Sequence, residues 1–198
     1  MTEQDAHAWI AQRFDDTVHG KLRTFVELIV EENKRQNLIS PATIPHVWTR
    51  HVVDSLQLIE LTGAGTWVDV GTGGGFPGLV VAIARPGQTM LVEPRKRRAE
   101  FLRSCIEALA LEHVTVAASK IEQVNVQAAV ISARAVASME KLLRAARHCA
   151  TPATQWLLPR GTIDTLELEA IAREFGMMFH VKQSVTQTSS FIVVLKPR

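Results

Sequence analysis

The sequence predicts an α/β fold, a doubly wound and mostly parallel sheet of seven strands with an antiparallel last strand, preceded by a helical cap. Three observations carry the prediction. After Gly63, short apolar runs alternate with helix-length stretches: "TWVDV", "TMLVEP", "VTVAA", "AAVISA" and "TQWLLP". Alternation of this kind builds a parallel sheet with helices on both faces. The last two runs, "FHVKQSV" and "FIVVLK", leave no room for a helix between them, so they form a hairpin. Before Gly63 the apolar period is helical.

In the cap, Trp9, Ile10 and Phe14 share one helical face, and Val18, Leu22, Phe25, Leu28 and Ile29 share a longer one. "NLISPATIP" interrupts the pattern, and Val47, Trp48, Val52, Leu56 and Ile59 resume it as a further helix. The expected organisation is a cap over 1–62 and a compact domain over 63–198. At 46% hydrophobic and 21% charged residues the chain has the composition of a globular protein. No apolar run approaches the ~20 residues of a membrane span, and "MTEQDAHAWI" is too acidic for a signal peptide. Cys105 and Cys149 lack CxxC spacing, which points to reduced thiols in a cytoplasm and away from a zinc site or any other metal site. The net charge is only +2, but "EPRKRRAEFLR" (93–103) concentrates Arg95, Lys96, Arg97, Arg98 and Arg103.

The stretch "WVDVGTGGGFPGLVVAI" (67–83) places glycines where the first strand ends. In an open parallel sheet that is where ligands bind. A phosphate loop would need Lys after Gly78, and Leu79 stands there; a dinucleotide fingerprint would need glycine at 76, and Phe76 stands there. What remains is Asp69-x-Gly71-x-Gly73-x-Gly75, an arrangement suited to S-adenosylmethionine (SAM), with glycines letting the backbone approach the methionine portion. Glu93 ends the second strand 22 residues after Gly71, where a carboxylate accepts from both ribose hydroxyls.

With these residues the chain resembles the RsmG (GidB) family, SAM-dependent enzymes that methylate N7 of a guanine in bacterial 16S rRNA. The resemblance runs from about Asn37 to the C-terminus. It is carried by "NLIS" (37–40), "RHVVDSL" (50–56), "DVGTGGGFPG" (69–78), "KRRAEFLR" (96–103) and "ARAVAS" (133–138). The second and third of these, thirteen residues apart, are the specific pair. The resemblance implies a class I, Rossmann-like methyltransferase fold with SAM as cofactor. It also implies that Gly71 and Phe76 contact SAM, that Ile121 and Glu122 border the adenine, and that Arg134 completes the site. The substrate would be a guanine of the 530 loop near the decoding site, in 16S rRNA or an assembling small subunit. The protein would be a cytoplasmic monomer with no membrane partner. Two positions depart from the family pattern: Glu93 stands where Asp is frequent, and Arg160 in "LLPRG" replaces a lysine.

N7 of guanine carries a lone pair and no proton, so its methylation needs alignment and no general base. The sequence fits in what it lacks: it has no [DN]PP[YFW] motif for an exocyclic amine and no tyrosine. Arg134 is the candidate for holding O6 of the base, with pairing to Glu122 or a loop carbonyl as its bland alternative. His51 and Asp54, three apart on a helix, have two open readings: Asp54 orients His51 at the entrance, or the pair anchors the cap to the sheet. Arg50 and the run Arg95, Lys96, Arg97 and Arg98 are candidates for RNA phosphates, with Arg160, Arg144 and Arg147 extending them. Phe76 is the aromatic best placed for cofactor or base, while Trp67 and Trp156 read as core. A small-molecule SAM methyltransferase and a non-catalytic nucleotide sensor are the competing readings.

Overall fold

The computed structural model describes residues 1–134 and 138–198. A single seven-stranded sheet runs in the order β3-β2-β1-β4-β5-β7-β6. Its strands are β1 (Trp67–Val70), β2 (Thr89–Val92), β3 (Val114–Ala117), β4 (Ala128–Ser132), β5 (Ala150–Arg160), β6 (Met177–Gln183) and β7 (Phe191–Pro197). β7 lies antiparallel to both β5 and β6, and the other pairs are parallel. The order reverses between β1 and β4, which opens a crevice beyond their carboxyl ends.

β1 is buried along its whole length, with no polar outward face, as expected of a central parallel strand. On one face Val68, Val70, Ile131 and Trp156 pack with Leu142 and Leu143 of α6 (Met139–Ala146) and Ile171 of α7 (Thr165–Glu174). On the other lie α4 (Gly78–Ala84) and α5 (Lys96–Ala108), and the cap packs over these. Leu22, Phe25 and Ile29 of α2 (Asp16–Glu32) share one cluster with Leu79, Phe101 and Leu102. Trp67 and Trp156 are core, as expected. Both cysteines are free and buried. No described helix is long and apolar enough to cross a membrane.

The segment expected as one helix over 47–59 is broken into three pieces. A π-helical stretch covers Trp48–Val53, α3 covers only Asp54–Leu56, and a 3-10 turn covers Ile59–Leu61. The β-branched Thr49, Val52 and Val53 fit a tight α-turn poorly, and α1 (Glu3–Ala11) holds the wider one in place. The Glu3 carboxylate accepts from the amides of Trp48 (3.1 Å) and Thr49 (2.9 Å) and from the Thr49 hydroxyl. The His7 ring packs tilted against Trp48 and the His19 ring meets it edge-on, which makes Trp48 a cap-core residue.

α4 approaches β1 so closely that only glycine fits at position 78. A Cβ there would lie 2.5 Å from both Asp69 Cβ and Leu91 Cδ2. Gly78→Ala should therefore destabilise the protein by about 3 kcal/mol or more, as overpacking against backbone-anchored neighbours does. Gly20→Ala, in a helix with nothing within 4 Å of the new Cβ, should stabilise by about 0.5–1 kcal/mol. Urea denaturation of both variants checks the contrast; equal stabilities would refute it.

Candidate active site

β1 gives way at Val70 to a turn in which Gly71 (φ 68°), Gly73 (φ 58°) and Gly75 (φ 99°) all adopt left-handed backbone. Their surroundings differ. A Cβ on Gly73 would meet nothing closer than Arg98 Nη1 at 3.7 Å, so its open face looks outward. A Cβ on Gly75 would sit 3.0 Å from Phe25 Cζ, and one on Gly74 2.8 Å from Ile29 Cδ1. The spaced glycines therefore differ in what they admit: Gly74 and Gly75 make room for the cap, and Gly73 opens outward. Asp69 lies beneath the turn. Its fully buried carboxylate accepts from the amide of Gly78 (2.9 Å) and the hydroxyl of Ser132 (2.6 Å), so it braces the loop from beneath. Burial raises its pKa, and the hydrogen bonds oppose that rise.

Glu93 lies where expected, just past β2, with one carboxylate oxygen accepting from the Gly73 amide and the other from the Arg95 amide, both at 2.9 Å. Each oxygen has a further lone pair, so the same carboxylate that pins the loop has capacity for two hydroxyl donors. Buried Ile121 and exposed Glu122 follow β3 on a 3-10 turn, and Arg134 follows β4. Loop backbone, carboxylate, apolar turn and cation thus succeed one another along the carboxyl ends of β1, β2, β3 and β4. That sequence fits a nucleoside bearing a methionine chain. Residues 135–137 of "ARAVAS" lie outside the described residues.

Beside this crevice a cavity of about 450 Å³ opens between the carboxyl ends of β4 and β5 and the cap. Its wall includes Arg134, His51, Asp54, Arg50, Arg160 and Phe191. The Phe76 ring forms a buried partition, with the His51 ring 4.9 Å and the Arg134 guanidinium 5.1 Å from its centroid. Phe76 therefore supports the two polar groups and offers little open surface of its own.

Asp54 does not orient His51. A π-helical turn rotates position i+3 further from i than an α-turn does, and the two side chains diverge. Asp54 Oδ1 instead accepts from Gln57 Nε2 (3.0 Å), Ser184 Oγ (3.2 Å) and Thr186 Oγ1 (3.2 Å), and its Oδ2 lies 4.0 Å from Arg134 Nη1. Arg134 Nη1 also donates to the Arg50 carbonyl at 3.3 Å. Gln57 accepts from the Val185 amide, and the Arg50 guanidinium donates to Gln187. The β6–β7 loop is thereby latched to the cap, a contact across some 130 residues that no sequence pattern announced. His51 turns the other way and bonds Thr43 Oγ1 at 2.8 Å. Burial, reinforced by Arg134 and Arg50, drives its pKa down to about 3.

The basic run opens α5. Arg95, Lys96 and Arg97 are exposed, and Arg98 donates to the Asn37 carbonyl at 2.8 Å. With Gln36 and Asn37 they line a recess of about 440 Å³. The adjoining Leu38, Ile39 and Ser40 line the cavity, so the two hollows flank one segment. Cations at a helix N-terminus oppose the macrodipole, and α5 has no acidic residue in its first turn to offset them. Arg160 ends β5 in the cavity wall, partly buried. Arg144 does not extend the rim: on α6 it pairs with Glu140 and Glu174.

The fold is that of the class I SAM-dependent methyltransferases. A SAM dependent methyltransferase from Aquifex aeolicus superposes with a TM-score of 0.63 at 16% identity, over 82% of this chain and 96% of that one. The chain itself belongs to the GidB family, rRNA small subunit methyltransferase G, whose model matches residues 18–191. It is 43% identical to the ribosomal RNA small subunit methyltransferase G of Novosphingobium aromaticivorans, over 98% of this chain and 88% of that one. To the Erythrobacter litoralis protein of the same name it is 41% identical, over 100% and 97%. Family and fold together make S-adenosylmethionine the cofactor.

The depressed pKa of His51 has a measurable consequence. Below its unfolded value of 6.5 the unfolded chain takes up a proton that the folded chain refuses, so stability is present above that pH and is lost as pH falls. Between about pH 7 and about pH 5 this group alone should lower stability by about 2 kcal/mol. Urea denaturation at the two pH values should show that increment in the wild type and its absence in His51→Leu. Equal pH dependence in both would place His51 in a solvated setting.

Proposed function

We propose that the protein transfers a methyl group from S-adenosylmethionine to N7 of a guanine in small-subunit ribosomal RNA. The observation that carries this reading is the cavity beside the cofactor crevice, which among the described residues has positioning groups and no available base. His51 is neutral and far too weak a base near neutral pH to take a proton from an amine. The Asp54 carboxylate is engaged by three donors and faces Arg134. N7 attack needs neither, since the nucleophile is a lone pair already free. Bound SAM supplies an electrophilic methyl on a sulfonium centre. Gly71 and Gly73 would hold its methionine portion, Glu93 its ribose, and Ile121 and Glu122 its adenine. Arg134, fixed by the Arg50 carbonyl and Asp54, would donate to O6 and leave N7 free. Alignment of this kind supplies up to about 7–11 kcal/mol of a barrier.

The relatives named ribosomal RNA small subunit methyltransferase G support the substrate class, and the family resemblance alone points to the 530 loop near the decoding site. The protein would act as a cytoplasmic monomer on 16S rRNA or an assembling subunit. Base-resolved mapping of 7-methylguanine in 16S rRNA should show one site lost on deletion of the gene and restored by the wild-type copy. An unchanged map would overturn the reading.

Two further outcomes follow. Single-turnover methylation should be nearly flat from about pH 6.5 to about pH 8.5, and 7-deazaguanine at the target should abolish it while leaving binding intact. A titration in that range that vanishes in His51→Leu would restore a general base. Separately, Lys96→Glu with Arg97→Glu places acids where the α5 dipole prefers them, so the fold should gain about 0.3–1 kcal/mol per site. RNA binding should nonetheless weaken, and its log–log salt slope should fall by about 1.5 to 2. Unchanged RNA affinity, or equal loss of SAM and RNA binding in titrations, would remove the run from the RNA surface.

A further inference from the structure

Three hollows follow one another along residues 36–43 of the cap. Gln36 and Asn37 line the basic recess at the start of α5, and Leu38, Ile39 and Ser40 line the cavity proposed to receive the base. Ala42 and Thr43 line a third hollow of about 710 Å³. It shares Arg50, Thr186 and Gln187 with the base cavity and no residue with the basic recess. The base cavity therefore stands between the other two. The far wall of the third hollow is the β6–β7 loop, where Thr188 and Ser189 are exposed.

Charge is segregated along this series. The chain as a whole is nearly balanced, with 22 Lys and Arg against 20 Asp and Glu. Among the described residues the hollows are lined by Arg50, Arg134, Arg160 and the cations of 95–98, with Asp54 as the single carboxylate. Asp54 is already engaged by the hydroxyls of Ser184 and Thr186. Walls of one sign draw in a polyanion. The third hollow is milder: beyond Arg50 and His46, its polar side chains are hydroxyls and amides. Groups of that kind bond phosphate and ribose oxygens, the 2′-hydroxyl of RNA included.

A base within a strand differs from a free ligand in one respect, because its strand must leave the cavity on both sides. The basic recess provides one exit. On the opposite side the third hollow is open, and its volume lies in the range of about 300–1,000 Å³ that holds nucleotide-sized ligands. Resting on the RNA reading above, we infer that this hollow is a second RNA subsite. It holds the nucleotides on one side of the target guanine, while the 95–98 run holds those on the other. Arg50 stands at the joint between subsite and base cavity. The latch of Asp54 and Gln57 on the β6–β7 loop keeps the far wall in place.

The test maps the strand directly. Cys105 and Cys149 are buried, so a benzophenone label on an added cysteine reports that position alone. Labels on Thr188→Cys and on Arg97→Cys should crosslink small-subunit RNA at nucleotides on opposite sides of the methylated guanine. Crosslinks on the same side, or a Thr188→Cys label that reaches ribosomal protein or no RNA while the Arg97→Cys label reaches RNA, would overturn the subsite alone. In titrations, Thr188→Glu with Ser189→Glu should weaken RNA binding about tenfold through like-charge repulsion, with SAM affinity and the urea midpoint unchanged. Unchanged RNA affinity, or a loss of stability in step with the loss of binding, would show a merely structural loop. No RNA crosslink from either label, together with no methylated guanine, would sink the functional reading and the subsite with it.

Discussion

The site depends first on one close approach, that of α4 to the end of β1. Gly78 lets the helix start directly above Asp69, whose buried carboxylate takes the Gly78 amide and the Ser132 hydroxyl. Ser132 in turn accepts from Trp67 Nε1 at 2.7 Å. Strand, helix start and neighbouring strand are thereby joined through one anion that has no solvent to fall back on. Losing any donor would leave a buried carboxyl group short of partners, at a cost of about 1–3 kcal/mol. The glycine turn is stretched between this node and Glu93, which fixes its far side through the Gly73 amide.

The cap works on the same turn from the opposite side. Phe25 and Ile29 press against Gly75 and Gly74, so the loop is bounded by core packing on one face and left open on the other. A glycine-rich loop of this kind is defined as much by the protein it touches as by any ligand. The π-helical stretch at Trp48–Val53 serves the cap in a second way. Its wider turn directs His51 toward Thr43 and Asp54 toward the β6–β7 loop, and the same Asp54 faces Arg134. The cap, the last hairpin and the Arg134 guanidinium are thus coupled through one partly buried carboxylate.

The electrostatics of the cavity follow from burial. His51 is kept neutral by desolvation and two nearby guanidinium groups, and Asp54 has its pKa raised by desolvation while Arg134 and its hydroxyl partners act against that rise. These groups give the cavity shape and hydrogen-bonding polarity, which suits the proposed attack by a lone pair already free. Outside, cations stand at the start of α5 against the helix dipole, an arrangement that folding alone would not favour and that suits a polyanionic partner.

Much of this was legible in the chain. The two periodicities fix strand and helix runs because a parallel sheet buries whole strands and an amphipathic helix buries one face, both of which are local facts of residue order. The glycine spacing and Glu93 located the crevice for the same reason, since turn and carboxylate sit next to strand ends. Tertiary structure alone decided the rest. Spacing showed that positions 71, 73, 74, 75 and 78 lack side chains, but not that Gly74 and Gly75 yield to the cap and Gly78 to Asp69. Helical period placed His51 and Asp54 on one face, whereas the packed, β-branched segment took a wider turn and parted them. The hydroxyl partners of Asp54 lie some 130 residues away, and His51 is held by the hydroxyl of Thr43, itself bound to the carbonyl of Ser40. Such assignments need distances between groups remote in sequence, and those exist only once the chain has closed on itself.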